Sequence, residues 1–265
     1  MAGLELVDWP ADRSLVVSGS PPTLRIPLTI RNPSGAPAML AEPTLAEMRR
    51  TEDGLRLSAA ASPLFLNVPA NGVAGGRMRL RLDATTAPGR YEGEVRMGDI
   101  TRTIVIEVLP ETKLDVRPSP VVVDASQGRD QPVTARFENR GNVPLHIDAA
   151  GTYPLFREIA GGAEHVGPEA VSPLGGLLEQ LIGRTPNLAP DGEAELASPN
   201  GPLSLAPGES SFATLALKLP EGMSPTDRYH VFAPLYASDL HIVIVTAAKP
   251  RRVRKPGGAA KETRA

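Results

Sequence analysis

The side chains best suited to chemistry in this 265-residue chain are four histidines, His146, His165, His230 and His241, set in a sequence with no cysteine. No two of them stand at an HxH or HxxxH spacing, and without cysteine a zinc site would need carboxylates brought in by the fold. His146 falls in an apolar strand-like run, His165 in a polar loop, and His230 and His241 in what reads as a final hairpin. No GxSxG elbow, phosphate loop or dinucleotide fingerprint is present. The glycine cluster NGVAGG at 71–76 lacks the lysine and the following helix that a phosphate cradle requires. The expectation is therefore a protein with no catalytic residue, no metal and no cofactor.

Residues suited to binding are easier to find. Arg77, Arg79 and Arg81 alternate with Met78, Leu80 and Leu82, the pattern of a strand with one buried face. The arginines read as a solvated face, with Glu92, Glu94 and Glu107 expected in neighbouring strands to pair with them; a cationic stripe for phosphate or carboxylate partners is the alternative. Among the aromatics, Tyr229 has a counterpart in Tyr91 and reads as a structural post, whereas Tyr153 and Phe156 have no counterpart and are candidates for an interaction surface. From Lys249 onward seven basic residues stand against one acid, Glu262, in a segment whose overall composition predicts disorder. Arg251, Arg252, Arg254 and Lys255 could hold nucleic acid or an anionic surface by charge alone.

The elements that position these residues come from an internal echo. Thr29 to Leu40 and Arg136 to Ile147 lie 107 residues apart, and in both an alternating apolar run ends at an asparagine, Asn32 or Asn139, ahead of a turn and a proline, Pro37 or Pro144. Later landmarks, Pro69 and Tyr91 against Pro207 and Tyr229, repeat at an offset of 138. About 31 residues are thus added to the second copy, between Ile147 and Pro207. Glycine and proline total 53, enough for many turns in an all-β chain. In the first copy Ala41 to Arg50 reads equally as a helical turn or two or as a polar crossing, and Pro27 belongs on an edge-like side of its strand or at a bulge.

Inside the added stretch, at about 150–202, one segment has helical period. Leu174, Leu177, Leu178, Leu181 and Ile182 form one apolar stripe, with Ser172 as N-cap, Pro173 at the first helical position and Gly183 past the end. The stripe needs cover, either from its own domain or from another subunit as a helix in a groove. The flanking loops, 161–168 and 185–202, read as irregular arms.

These readings give an all-β fold of two tandem immunoglobulin-like β-sandwiches, the second carrying the insert with its short amphipathic helix. The domains are 1–110 and 111–248, followed by a disordered basic tail at 249–265. Turns of the form N-x-x-G-x-P at Asn32 and N-x-G-x-x-P at Asn139, with Pro88-Gly89-Arg90-Tyr91 before a late hairpin, resemble bacterial immunoglobulin-like sandwiches of the ASH (hydin-like) and fibronectin-like groups. The resemblance implies a non-catalytic binding or assembly module. The expected function is a structural or accessory subunit that binds a partner protein, or itself, through edge strands, the insert and Tyr153 and Phe156. The alternatives are a carbohydrate-binding or surface-attached module and a tail-driven nucleic-acid binder. No apolar run reaches the ~18 residues of a membrane span, and the first residues lack an export signal, so a cytoplasmic location is expected.

Overall fold

The computed structural model describes residues 3–40, 42–159 and 187–246. The segment 172–183, with Leu174, Leu177, Leu178, Leu181 and Ile182, lies outside the described residues, as do His165 and the basic tail. Apart from one 3-10 turn, Ala125–Gln127, every described element is a strand. No described helix is long and apolar enough to cross a membrane.

The N-terminal half holds β1 (Glu5–Leu6), β2 (Leu15–Gly19), β3 (Thr23–Arg31), β4 (Ala38–Met39), β5 (Thr44–Leu45), β6 (Met48–Arg50), β7 (Arg56–Leu57), β8 (Ala59–Ala61), β9 (Asn67–Val68), β10 (Val73–Leu82), β11 (Gly89–Met97) and β12 (Ile100–Val108). One sheet runs β1-β3-β10-β8 and a second runs β2-β12-β11-β6-β7, with β5 also on β11. Alternation dictates their inner faces: Ile26, Met78 and Leu80 from the first sheet meet Tyr91, Ile104 and Ile106 from the second in one buried cluster, capped by Trp9. Residues 41–50, where a helical turn or a polar crossing was expected, supply the short strands β5 and β6. The reason is Met48, which is buried in this cluster while β6 pairs with β11, so tertiary packing overrides a weak local preference. Pro27 is tolerated because the chain through β1 and Val7 bonds to β3 only as far as Thr29, and among the described residues the rest of that side of β3 has no ladder partner.

The C-terminal half holds β13 (Leu114–Arg117), β14 (Val121–Asp124), β15 (Asp130–Asn139), β16 (Leu145–Ile147), β17 (Gly151–Glu158), β18 (Leu188–Ala197), β19 (Leu203–Leu205), β20 (Ser210–Lys218), β21 (Arg228–Leu235) and β22 (Ser238–Val245). Its strand order is β13-β15-β20-β18-β17-β21-β22-β14. The ends repeat the N-terminal arrangement, β15 against β20 as β3 against β10, and β14 parallel to β22 as β2 to β12. The centre differs. β17 and β18 pair with each other, and also with β21 and β20, so they weld into one sheet what the N-terminal half keeps as two. The arm expected to be irregular at 185–202 is therefore largely strand. Pro190 and Gly192, which made it read as loop, sit at and beside a register shift opposite Pro154 and Phe156, where an irregular ladder accommodates them. The buried residues form a second cluster, from Leu114 to Ile244, that shares none with the first.

The echoed asparagines do the same work in both halves. Asn32 Nδ2 donates to Ala36 O at 2.8 Å and Val68 O at 3.2 Å while its Oδ1 accepts from Ser34 N at 3.0 Å. Asn139 Nδ2 donates to Val143 O at 2.8 Å and Leu205 O at 3.1 Å, and its Oδ1 accepts from Gly141 N at 3.0 Å. Each ties the turn after its strand to a later short strand, β9 through Val68 or β19 through Leu205. The paired tyrosines are posts too: Tyr91 Oη donates to Ala87 O at 2.8 Å, and Tyr229 Oη accepts from Ser224 N at 2.7 Å, each bonding back to backbone four or five residues earlier.

Candidate functional site

The outward face of β17, β21 and β22 differs from its counterpart in the N-terminal half. In β21 the residues Tyr229, Val231 and Ala233 point into the core, which leaves His230 and Phe232 on the outer side; in β22 the same alternation turns His241 and Val243 outward. Ladder register sets Phe156 opposite His230, and Phe232 opposite His241. At the repeat offset of 138, and through the matching ladder of β6 on β11, these positions are Arg49, Glu92, Glu94 and Thr103 in the N-terminal half. A charged, wet face in one half is an aromatic one in the other.

The aromatic rings stack as a group. Phe232 lies 4.4 Å from His241, ring centre to ring centre and inclined 18°, while Phe156 meets Phe232 edge-on at 6.1 Å. His230 and His241 are 5.3 Å apart and share a hydrogen bond of 3.0 Å between Nδ1 of the first and Nε2 of the second. His230 is only 6% exposed, and its Nε2 faces Glu158 Oε2 at 3.5 Å without hydrogen-bond geometry. The arrangement that wastes least puts the proton of His230 on Nε2, toward the carboxylate, and lets Nδ1 accept from His241. Arg228 holds the same Glu158 at 3.4 Å.

Burial sets the charge state of the pair. It pushes His230 below the ordinary histidine range, with Glu158 opposing and Arg228 reinforcing, and it pushes His241 down to about 4, helped by His230 beside it. Both rings are neutral at pH 7, so the patch presents the half-buried Phe156, Phe232 and His241, with His230 buried beneath and bonded to His241, rather than a cation. Among the described residues no hydroxyl or thiol is hydrogen-bonded to either of these two rings, and no group of three or more potential metal ligands is found.

Of the residues singled out in the sequence, Phe156 belongs to this face. Tyr153 does not: it packs against the core and donates to Ala149 O at 3.3 Å. His146 lies in the β16–β19 ribbon, with its ring on Ser204 Oγ at 2.9 Å and its backbone carbonyl on Tyr236 Oη at 2.8 Å. Spacing along the chain does not predict the His230–His241 contact, because an eleven-residue separation becomes a contact only through hairpin register. The signal was present in the replacement of Glu92, Glu94 and Thr103 by His230, Phe232 and His241 at an offset already established.

The outward edge of the sheet adds a second feature. Among the described residues β14 pairs only with β22, at the end of the sheet, and Val122, paired with Val243, is 66% exposed.

No family model matches the chain, and no curated protein does. Solved structures that align with it include the Pseudomonas aeruginosa CupB2 chaperone, at 11% identity over 87% of this chain and 96% of that one with a TM-score of 0.23. The E. coli chaperone DraB aligns at 13% identity over 92% and 96%, with a TM-score of 0.25. Red sea bream transglutaminase aligns at 17% identity over 94% of this chain but 32% of its own, with a TM-score of 0.25. Similarities this low do not bear on what the chain binds or does.

Proposed function

We propose that the chain is a non-catalytic structural or accessory subunit built of two tandem immunoglobulin-like sandwiches, 1–110 and 111–248, that binds a partner protein through the C-terminal half. The ASH and fibronectin-like resemblance of its turns fits that role by analogy of fold alone. One observation carries the reading: on equivalent sheet faces, Arg49, Glu92, Glu94 and Thr103 are replaced by Phe156, His230, Phe232 and His241. The N-terminal half folds without such a cluster, and aromatic clusters are what protein interfaces concentrate. The neighbouring edge of β14, with Val122 outward, offers a place for a further strand to pair.

The test places a photoreactive phenylalanine analogue at Phe156 and Phe232, and at Arg49 and Glu94 as matched controls, in the native cell. The expected result is one discrete adduct at the first two positions and none at the controls. Equal labelling at all four positions, or none anywhere from a protein that also stays monomeric at its highest soluble concentration, would remove the reading.

A further inference from the structure

The outer face of the other N-terminal sheet carries a second surface of opposite character. On β10 the buried residues Met78, Leu80 and Leu82 leave Arg77, Arg79 and Arg81 pointing to solvent, and on β3 the same alternation exposes Arg25. Register sets Arg25 directly opposite Arg79. Like charges facing each other across a ladder oppose folding, so nothing in the sandwich favours this pair. The acids expected to neutralise the stripe do not reach it: Glu92, Glu94 and Glu107 lie on β11 and β12, in the opposing sheet. Among the described residues none of Arg25, Arg77, Arg79 and Arg81 forms an ion pair or a side-chain hydrogen bond. Elsewhere the pattern is different, with Arg49 and Arg56 on Glu47, Arg96 on Glu94, and Arg140 on Glu138 and Asp115.

The C-terminal half again serves as a control. The ladder of β20 on β15 matches that of β10 on β3, and the four arginine positions become Pro132, Thr214, Ala216 and Lys218. Lys218 is paired with Glu195 at 3.1 Å, and Thr214 is bonded to Thr134 at 2.9 Å. The arginines are thus a property of one half and not of the architecture.

We infer that Arg25, Arg77, Arg79 and Arg81 form a docking surface for an extended acidic segment of a partner protein, one with Asp or Glu at alternate positions. Side chains on one face of a strand recur every ~6.4–6.8 Å, the pitch that alternate carboxylates of an extended peptide present in return. Guanidinium groups match carboxylates fork to fork. The rest of the face narrows the choice. Thr23, Pro27, Thr29 and Gly75 offer no aromatic ring on which a single-stranded nucleic acid would stack its bases, and the large apolar side chain exposed on this face, Val73, stands at the opposite end of β10 from Arg81. The surface lies on a different sheet and in a different half from the aromatic face, and it stands whether or not that face binds anything.

The test uses the full chain and a fluorescent peptide of alternating Glu and Thr, read by anisotropy at about 0.05 M ionic strength, where screening is weak. Two variants remove the surface: R25Q/R79Q, which takes away the facing pair, and the quadruple change that adds R77Q and R81Q. A third, with Arg251, Arg252, Arg254 and Lys255 changed to glutamine, reports any share of the tail. The expected result is peptide binding that the quadruple variant weakens about tenfold or more and R25Q/R79Q weakens in part, with binding kept by the tail variant and with melting temperatures equal to or above that of the parent. Failure of the parent to bind, or loss of binding in the tail variant alone, overturns the proposal. So does equal or tighter binding, through the same four arginines, of a single-stranded oligonucleotide of matched charge or of phosphatidylserine vesicles.

Discussion

Asn139 bonds three backbone groups, the carbonyls of Val143 and Leu205 and the amide of Gly141, the last two in buried surroundings. Asn139→Ala removes all three bonds, which predicts a loss of about 2 to 4 kcal/mol in denaturant unfolding. A loss within a few tenths of a kcal/mol would mean that water replaces the side chain. His241 makes a prediction with a direction in pH. Its folded pKa, about 4, lies below the ordinary value near 6.5, so the unfolded chain takes up a proton first as pH falls. The contribution of the neutral ring is complete above about pH 6.5 and is lost progressively between there and about pH 4. His241→Phe keeps the stack on Phe232 but cannot titrate. Its melting temperature should drop less than that of the parent between pH 7 and pH 4.5, even though it starts lower because His230 Nδ1 has lost its partner. Parallel drops would show that the pair does not carry the acid sensitivity.

At the level of strands, the closest approach in the N-terminal half is β6 over β11. A Cβ on Gly93 would lie 3.2 Å from both the Glu47 carbonyl oxygen and the Met48 Cα, backbone atoms that cannot swing aside. Gly93→Ala should therefore destabilise by about 1 to 3 kcal/mol through overpacking, whereas Gly75→Ala, whose nearest neighbour is a carbonyl at 4.0 Å, should be neutral within error. Equal effects at the two sites, measured by thermal melting, would show that β6 has room to shift. The same strand marks where sequence reading failed. The long alternating strands β3, β10, β15 and β22 were legible because one face of each is buried along nearly its whole length, so period two survives in the residue types. β5 and β6 run two and three residues, too short to show a period, and their conformation is imposed by the core they cover. β18 was hidden for another reason: its proline and glycine, turn signals on their own, sit at a ladder irregularity that depends on β17, a partner more than thirty residues earlier. The candidate site was legible only in part. Phe156 was found by asking which aromatics lack a counterpart, while His230, Phe232 and His241 needed the cross-strand register.

Across the whole molecule the question is how two separate cores answer to each other, and the turn after Asn139 supplies the link. Asn142 accepts from Glu111 N at 2.6 Å and donates through its side chain to Leu109 O at 3.0 Å, and its own amide donates to Glu111 O at 3.0 Å. Arg140 N adds a bond to Lys113 O at 2.8 Å. Gly141 lies so near the Glu111 carbonyl that any side chain there would collide with the connecting segment. The connection between the halves, at 109–113, is thus held along its length by the C-terminal half. Contact continues above it, where a Cβ on Gly208, a residue at φ +77, would lie 2.9 Å from Thr85 Cγ2. Such a clamp passes unfolding of one core to the other, because melting either half exposes the polar groups of the connection. Asn142→Ala removes both side-chain bonds and leaves each core intact. The expected outcome in calorimetry is a ratio of calorimetric to van't Hoff enthalpy that rises above that of the parent as one transition divides into two. Gly35 occupies the matching turn position in the N-terminal half, where a Cβ would meet nothing within 4 Å, so Gly35→Ala should leave the ratio unchanged. If Asn142→Ala lowers the melting temperature but keeps a single transition of the same sharpness, the halves are coupled through the Gly208–Thr85 contact instead, and a bulky residue at Thr85 is then the change that should separate them.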